Sequence, residues 1–300
     1  AQISAKPNIG YHFVQWSDGN TENPRTLELT QDTFLTAEFA QSFSGQCGDS
    51  LYWELVYTTL HITGSGAMYN YTSDTAPWKL LVSSIKSLTI AEDVTSIERS
   101  AFSGCTAIES IVWSAKKYAN PANKEVAPFY DIRSQIKSFT FGEAVEHIPA
   151  YLCYGMDNLT SVTTPNSLKT IGTSAFEGCA RLGKISLGTG VEEIAANAFA
   201  GCTRLYDIYC HAVYPPFVDE SSFANYNAYL YIPCDSKRDY TLDPVWGKFQ
   251  HIECLSNEET DVENVDTSSQ QQTNCQKIIR NGQLLILRDG VEYTVMGQEL

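Results

Sequence analysis

The sequence predicts a repeat solenoid of short β-strands, and two observations carry this prediction. The first is that the apolar residue opening each strand-like run recurs at a step of 23 residues. These opening residues are Ile85, Ile108, Ile136, Leu159, Leu182 and Leu205. The step from Ile108 to Ile136 is longer because the polar stretch KKYANPANKE adds a five-residue loop. A fixed period of this length is typical of a solenoid.

The second observation is that the repeats share one internal spacing. Apolar residues lie 3 and 5 positions after the opening residue, then at 9 and 12, with an aromatic residue at 17 and a cysteine at 20. In one repeat these residues are Ile185, Leu187, Val191, Ile194, Phe199 and Cys202. The repeat that begins at Ile136 departs from this pattern, with Cys153 at position 17 and Met156 at position 20. Alternation at 3 and 5 indicates a strand with one buried face. Because one such strand cannot bury its apolar face alone, the repeats must stack.

A strand of the form LxxIxL, followed by a second short strand and a turn, is typical of a leucine-rich repeat. The full pattern, LxxIxL…VxxI…AFxGCxxL, resembles the BspA-like leucine-rich repeat family of bacterial surface proteins. Residues 47–78 and 209–255 resemble the family's N-terminal and C-terminal caps. We therefore expect a solenoid over residues 42–256. The resemblance implies adhesion or interaction at the outer surface of a bacterium or outside the cell.

Small all-β segments are expected on both sides of the solenoid. Residues 1–41 contain GYHFVQWSDG and NPR, which resemble the divergent internalin B-repeat module, here expected without the family's first strands. Their Asp18-Gly19-Asn20 reads as a hairpin-type turn. Residues 257–274 read as an acidic polar linker, and 275–300 as a β-meander. The meander resembles the last part of a type IX secretion sorting domain; an ordinary terminal β-hairpin is the alternative.

Composition excludes some classes of function. The net charge of −15 leaves no basic surplus to displace counterions from a phosphate backbone, so we expect no nucleic-acid partner. No run of about 18 apolar residues occurs, so no transmembrane span is predicted in this chain. The sequence begins at Ala1 without a basic-then-apolar leader, as a processed or trimmed chain would.

The nine cysteines raise the question of a metal site or a disulfide framework. Cys105, Cys179 and Cys202 share one position of the repeat, where Met156 stands in another repeat. Parallel side chains on stacked repeats do not converge on one ion, so we predict no metal site and small buried side chains at this position. The remaining cysteines are better disulfide candidates, with the pairing left open: Cys47, Cys153, Cys210, Cys234, Cys254 and Cys275.

Motifs for catalysis are missing from the sequence. There is no GxSxG, no GxGxxG and no GxxxxGK[ST]. The neighbouring Glu192 and Glu193 would point to opposite faces of a strand and make poor acid–base partners. We therefore predict no catalytic residue, no cofactor and no enzymatic activity. A hydrolase would need a deep pocket with a perturbed carboxylate or histidine.

The side chains expected on the exposed strand face are rich in hydroxyls. A solvated β-surface explains most of this pattern, since Ser and Thr form hydrogen bonds across strands. At the C-terminal end, however, Lys184, Asp207 and Tyr209 replace small hydroxyls. The candidate partner-binding face is therefore formed by Ser161, Thr163, Lys184, Ser186, Asp207 and Tyr209.

Aromatic residues cluster in both caps, where we expect most rings to seal the ends of the stack. They are Tyr69, Tyr71, Trp78, Tyr214, Phe217, Tyr226 and Tyr229. Three functions remain open: a protein-binding adhesin, a carbohydrate-binding module and a structural spacer. A carbohydrate module should show a shallow aromatic platform, and a spacer should show a featureless charged face. The sequence leaves the ligand and the oligomeric state open.

Overall fold

A computed structural model describes residues 2–8, 11–27, 34–41, 43–72 and 74–255, together with the backbone of 275–280, 283–288 and 291–294. The chain divides into two units, residues 1–255 and 256–300. The predicted linker over 257–274 lies outside the described residues.

Short parallel strands dominate the first unit. Its strands are β1 (Gln2–Ile3), β2 (Tyr11–Trp16), β3 (Arg25–Thr26), β4 (Ala37–Gln41), β5 (Ser44–Gln46), β6 (Gly48–Val56), β7 (Thr59–Met68), β8 (Ser87–Ile90), β9 (Asp93–Ser96), β10 (Ser110–Trp113), β11 (Ser138–Phe141), β12 (His147–Ile148), β13 (Ser161–Thr163), β14 (Thr170–Ile171), β15 (Lys184–Leu187), β16 (Glu193–Ile194), β17 (Asp207–Cys210), β18 (Phe217–Val218), β19 (Tyr229–Ile232) and β20 (His251–Cys254). The helix α1 spans Lys237–Leu242. The 3-10 helices span Lys79–Leu81, Arg99–Phe102, Lys124–Val126, Arg133–Gln135, Cys234–Ser236 and Trp246–Lys248.

The strands stack side by side as a solenoid requires. A seven-stranded sheet runs in the order β11-β10-β8-β7-β6-β5, with β9 beside β7. A five-stranded parallel sheet, β13-β15-β17-β19-β20, carries the later repeats, and β12-β14-β16-β18 form a second parallel sheet from their second strands. Ser161 pairs with Lys184 and Lys184 with Asp207, whereas Asp207 pairs with Tyr229, one residue short of a full step. The predicted solenoid of short strands is confirmed.

The spacing derived from the sequence identifies the core. The residues at positions 0, 3, 5, 9, 12, 17 and 20 of the repeat that begins at Leu182 are all buried. Rings at the aromatic position stack from repeat to repeat: Phe176 on Phe199 and Phe199 on Phe223, with both pairs of centroids 5.3 Å apart. Phe129 fills this position in the repeat with the insertion, stacking on Phe102 at 6.0 Å. Each ring thus depends on its neighbours for burial.

The Gly-Cys pair of the AFxGC motif forms a turn and a contact with the preceding repeat. Gly178 and Gly201 have φ of 77° and 74°, in the left-handed region that favours glycine. The following thiols of Cys179 and Cys202 donate hydrogen bonds to the carbonyl oxygens of Cys153 and Phe176 in the preceding repeat, both at 3.2 Å. The cysteine therefore packs as a small residue and also joins adjacent repeats.

One disulfide is present among the described residues. It joins Cys234 to Cys254, with Cα atoms 4.8 Å apart, and ties the C-terminal cap to β20. Three of the other predicted disulfide candidates are free and buried, so the prediction is wrong for them: Cys47, Cys153 and Cys210. They are enclosed within the core rather than exposed at its ends. The side chain of Cys275 lies outside the described residues.

Two different caps close the solenoid. At the N-terminal end, the antiparallel hairpin β6–β7 pairs in parallel with β8. Trp53 packs edge-on against Trp78, which donates its indole N–H to the Ala101 carbonyl at 2.8 Å. At the C-terminal end, α1 supplies Tyr240, and Trp246 packs against Phe223, the last ring of the stack.

The N-terminal segment is held by its own motif residues. Arg25 forms two hydrogen bonds with the Asp18 carboxylate, at 2.8 and 2.6 Å, and its guanidinium lies 5.6 Å from the Trp16 ring centroid. The hydrogen bond with Arg25 lowers the pKa of Asp18 to about 2. The turn expected at Asp18-Gly19-Asn20 is present: the Gly19 N–H donates to the Trp16 carbonyl and the Trp16 N–H donates to the Asn20 carbonyl, both at 2.8 Å. The two strands on either side of it do not pair with each other, since β2 pairs with β4, and β3 with β1.

The second unit contains three antiparallel strands, β21 (Cys275–Arg280), β22 (Gln283–Arg288) and β23 (Val291–Thr294). β22 is the central strand and pairs with both neighbours. The domain boundaries at 41, 256 and 274 stay predictions.

Truncating the central ring of the stack tests the role of the aromatic position. We expect Phe199→Ala to lower the free energy of unfolding by about 3–5 kcal/mol, because it opens a cavity between two rings. Denaturant unfolding followed by circular dichroism measures this. The exposed Tyr206→Ala is the control and should change the free energy by less than about 0.5 kcal/mol. Equal effects of the two variants would contradict the assignment.

The buried thiols should resist alkylation in the folded protein. Burial raises the pKa of Cys47 and Cys105 to about 12 and that of Cys210 to about 11, so little reactive thiolate exists at pH 8. We expect iodoacetamide to leave Cys47, Cys105, Cys153, Cys179, Cys202 and Cys210 unmodified until denaturant is added. Peptide mapping by mass spectrometry reads the result. Rapid labelling of any of the six in the native protein would contradict their placement in the core.

Candidate functional site

The five-stranded sheet presents two columns of side chains on its outer face. Strand register places the first column in the order Ser161, Lys184, Asp207, Tyr229 and His251. The second column runs Thr163, Ser186, Tyr209, Tyr231 and Glu253. Apolar residues between them, such as Ile185 and Ile208, are buried. The alternation along each strand therefore produces this face.

All six residues of the sequence-based candidate face lie on these two columns. Ser161, Thr163 and Lys184 are exposed. Ser186, Asp207 and Tyr209 are half-buried. The structure thus brings the six candidates together on one surface.

Stacked rings occupy the C-terminal half of the face. The Lys184 ammonium lies 4.1 Å from the centroid of Tyr209, and Tyr209 stacks on Tyr231 at 4.5 Å and 12°. Tyr229 stacks on His251 at 4.5 Å and 17°, and lies 6.2 Å from Tyr231. We call these five residues the tyrosine ladder. The rings of Tyr209 and Tyr231 lie face to face and are half-buried, whereas Tyr229 is 44% exposed.

Sequence reasoning missed Tyr229, Tyr231 and His251 as parts of this face. The repeat spacing is lost at this point, because Asn227 occupies the position where an apolar residue opens the other repeats. A signal was present in the alternation of YLYI, in which Leu230 and Ile232 are buried.

The N-terminal half of the exposed strands is different in character. Ser110 donates a hydrogen bond to Ser87 at 2.7 Å, and the Thr89 hydroxyl lies 2.7 Å from Nδ1 of His61. These hydroxyls satisfy one another across the strands, as expected for a solvated β-surface. The ladder is therefore the distinctive part of the face.

The expectation that most cap aromatics are buried is wrong. Trp78 is fully buried, but Tyr69, Tyr214, Phe217 and Tyr229 are exposed. The C-terminal end is sealed instead by Tyr240, Trp246 and Phe249, which are buried. Phe217 and Tyr229 are exposed although they lie on the stacked strands β18 and β19, because their side chains alternate with the buried Val218 and Leu230.

The described residues offer little that resembles a catalytic site. Glu192 forms an ion pair with Lys169 at 2.8 Å, while Glu193 lies on the separate strand β16. Burial lowers the pKa of His147, but both its ring nitrogens are engaged, by Thr170 and Asn120. No group of three metal-ligating side chains occurs among these residues. Across the same part of the chain, no helix has the length and apolar character needed to cross a bilayer.

Two family models match the chain. The model for the BspA type leucine-rich repeat region matches six copies, over residues 81–120 and 125–235. The model for the divergent InlB B-repeat domain matches residues 1–43. Neither describes a catalytic family. Neither reaches residues 275–300, whose resemblance to a sorting domain stays a prediction. No curated protein matches the chain.

Several solved structures are similar to the chain at low identity. A leucine-rich repeat protein from Eubacterium ventriosum is 14% identical over 63% of this chain and 77% of its own, with a TM-score of 0.28. The T. pallidum leucine-rich repeat protein is 18% identical over 58% of this chain and 85% of its own, with a TM-score of 0.35. A leucine-rich repeat protein from Bacteroides ovatus is 18% identical over 62% of this chain and 49% of its own, with a TM-score of 0.34.

The contact between Lys184 and Tyr209 can be measured with a double-mutant cycle. We expect Lys184→Met and Tyr209→Leu to show a coupling free energy of about 0.5–1 kcal/mol, as for other exposed cation–π pairs. Denaturant unfolding of the wild type and of the single and double variants measures this coupling free energy. The cycle of Lys184→Met with Tyr206→Leu is the matched control and should be additive. Additivity in both cycles would contradict the contact.

Proposed function

The chain belongs to the BspA type leucine-rich repeat family, and we propose that it is a non-enzymatic binding protein that captures a protein ligand on the tyrosine ladder. We place this activity outside the cell or on the outer surface of a bacterium. The observation that carries the proposal is the continuous stack formed by Lys184, Tyr209 and Tyr231, beside Tyr229 and His251.

Rings fixed in this way suit protein recognition. Tyrosine supplies a large contact area with few rotatable bonds, and tyrosines are frequent among residues that dominate binding energy. Stacking on the neighbouring strand restrains the Tyr209 and Tyr231 rings before any ligand arrives. Less conformational entropy is then lost on binding. Lys184, Asp207 and Glu253 surround the rings with charges of both signs, which favours a defined orientation of the ligand.

The orientation of the rings favours a protein over a carbohydrate on this face. A sugar ring packs on the flat face of an aromatic side chain. In the ladder, the flat faces of Tyr209 and Tyr231 are turned toward each other at an interplanar angle of 12°. The ring edges that remain suit contact with a partner's backbone and side chains. A spacer without a ligand is also disfavoured, since it would not need a row of stacked rings.

The flanking segments fit a displayed protein. We propose that residues 1–41 and 275–300 are β-modules that precede and follow, in sequence, the solenoid over 42–256, with 257–274 as the linker. By its resemblance to a type IX sorting domain, the 275–300 segment would direct export or attachment.

Binding to an array of purified host matrix and serum proteins, with glycans printed alongside, tests the proposal. We expect the full chain to capture at least one protein. Lys184→Ala, Asp207→Ala and Tyr209→Ala combined should weaken that capture at least about tenfold, since each removes part of the buried contact.

The control variant replaces Ser138 and Thr140 by alanine, on the outer face of β11 within the hydroxyl-rich half. It should bind as the wild type does. Unchanged capture by the triple variant, or capture of glycans without any protein, would contradict a protein-binding ladder.

A further inference from the structure

A groove lies away from the ladder, where the loop between β17 and β18 leaves the stack. Its volume is about 350 Å³. One wall is the loop segment Val213-Tyr214-Pro215-Pro216, and the other comes from the two preceding repeats, through Lys169, Thr189 and Glu192. The groove is open to solvent along its length, and it separates an apolar wall from a polar one.

The apolar wall is rigid yet exposed. Trp246 donates its indole N–H to the Pro216 carbonyl at 2.8 Å, and the Tyr240 hydroxyl donates to the Ala212 carbonyl at 2.8 Å. Both ends of the loop are thus anchored to buried residues of the cap, and two prolines fix the backbone between them. Tyr214 nevertheless keeps 77% of its surface exposed. Cap packing therefore does not explain why a tyrosine occupies this position.

The polar wall carries a donor and an acceptor side by side. The Lys169 ammonium lies 2.8 Å from a carboxylate oxygen of Glu192, and the two side chains are 49% and 68% exposed. The pair is electrically neutral as a unit, so it does not favour an anion or a cation. Its remaining donor and acceptor positions can form hydrogen bonds with adjacent hydroxyl groups of a ligand.

We propose that this groove is a binding subsite for a neutral saccharide. A pyranose ring has an apolar C–H face and a rim of hydroxyl groups, which match Tyr214 and the Lys169–Glu192 pair. The volume falls at the lower end of the range of small-molecule sites and suits one or two sugar rings. It is too small for a helix or a folded domain. Tyr214, at 77% exposed, has more surface available for stacking than Tyr229, the exposed ring of the ladder, at 44%.

Saturation-transfer NMR and isothermal titration with the full chain test this subsite. The probes are maltohexaose, cellohexaose, laminarihexaose and mannohexaose. We expect at least one of them to bind, with saturation transferred mainly to C–H protons of the sugar. Tyr214→Ala should weaken binding about tenfold, and so should Glu192→Gln combined with Lys169→Met.

Two controls separate this subsite from the ladder. Tyr206→Ala removes an exposed tyrosine that lies outside the groove and should leave saccharide binding unchanged. The triple variant of Lys184, Asp207 and Tyr209 should bind the saccharide as the wild type does, and Tyr214→Ala should still capture the protein ligand. The proposal is overturned if none of the four oligosaccharides binds the wild type, or if Tyr214→Ala binds them with unchanged affinity.

Discussion

No repeat of this solenoid can bury its own apolar side chains, and the rest of the structure depends on that constraint. Each strand supplies one row of buried residues and most turns supply one ring, so burial is complete only when the next repeat is in register. The stack of Phe176, Phe199 and Phe223 shows the consequence, since each ring lies 5.3 Å from its neighbour. The thiols of Cys179 and Cys202 add hydrogen bonds between repeats on the same side. The same register that closes the core also aligns the outward side chains into columns.

Sequence periodicity predicted the core well because burial acts on every repeat in the same way. Each position of the spacing faces one environment, so a residue such as Met156 replaces Cys without disturbing the stack. The spacing did not predict the C-terminal strands, because the polar Asn227 stands at a position that is apolar in the other repeats. The step between paired residues also shortens there, to 22 between Asp207 and Tyr229. The extent of the ladder was missed for that reason. The exposure of Tyr214 and Phe217 was also not predictable, since an aromatic residue in a cap is compatible with either a buried or an exposed environment.

The two proposed binding surfaces differ in how their aromatic residues are used. In the ladder, rings pack against one another and offer their edges, which suits a protein surface. In the groove, hydrogen bonds from Trp246 and Tyr240 fix the loop that carries Tyr214, and most of the Tyr214 side chain is exposed. Both surfaces lie near the C-terminal end of the solenoid, where the repeats depart from the regular pattern. The regular positions are committed to packing, so specificity must come from the residues that the pattern leaves free.

Photo-crosslinking from the ladder tests the central claim most directly. Benzoylphenylalanine would replace Tyr229, which is 44% exposed on the face, and in a second protein would replace Val126, which is 48% exposed at the end of a 3-10 helix. Each protein would be irradiated with the protein captured on the array. We predict crosslinks from position 229 and none from position 126. Crosslinks from position 126 alone would contradict a partner bound on the strand face.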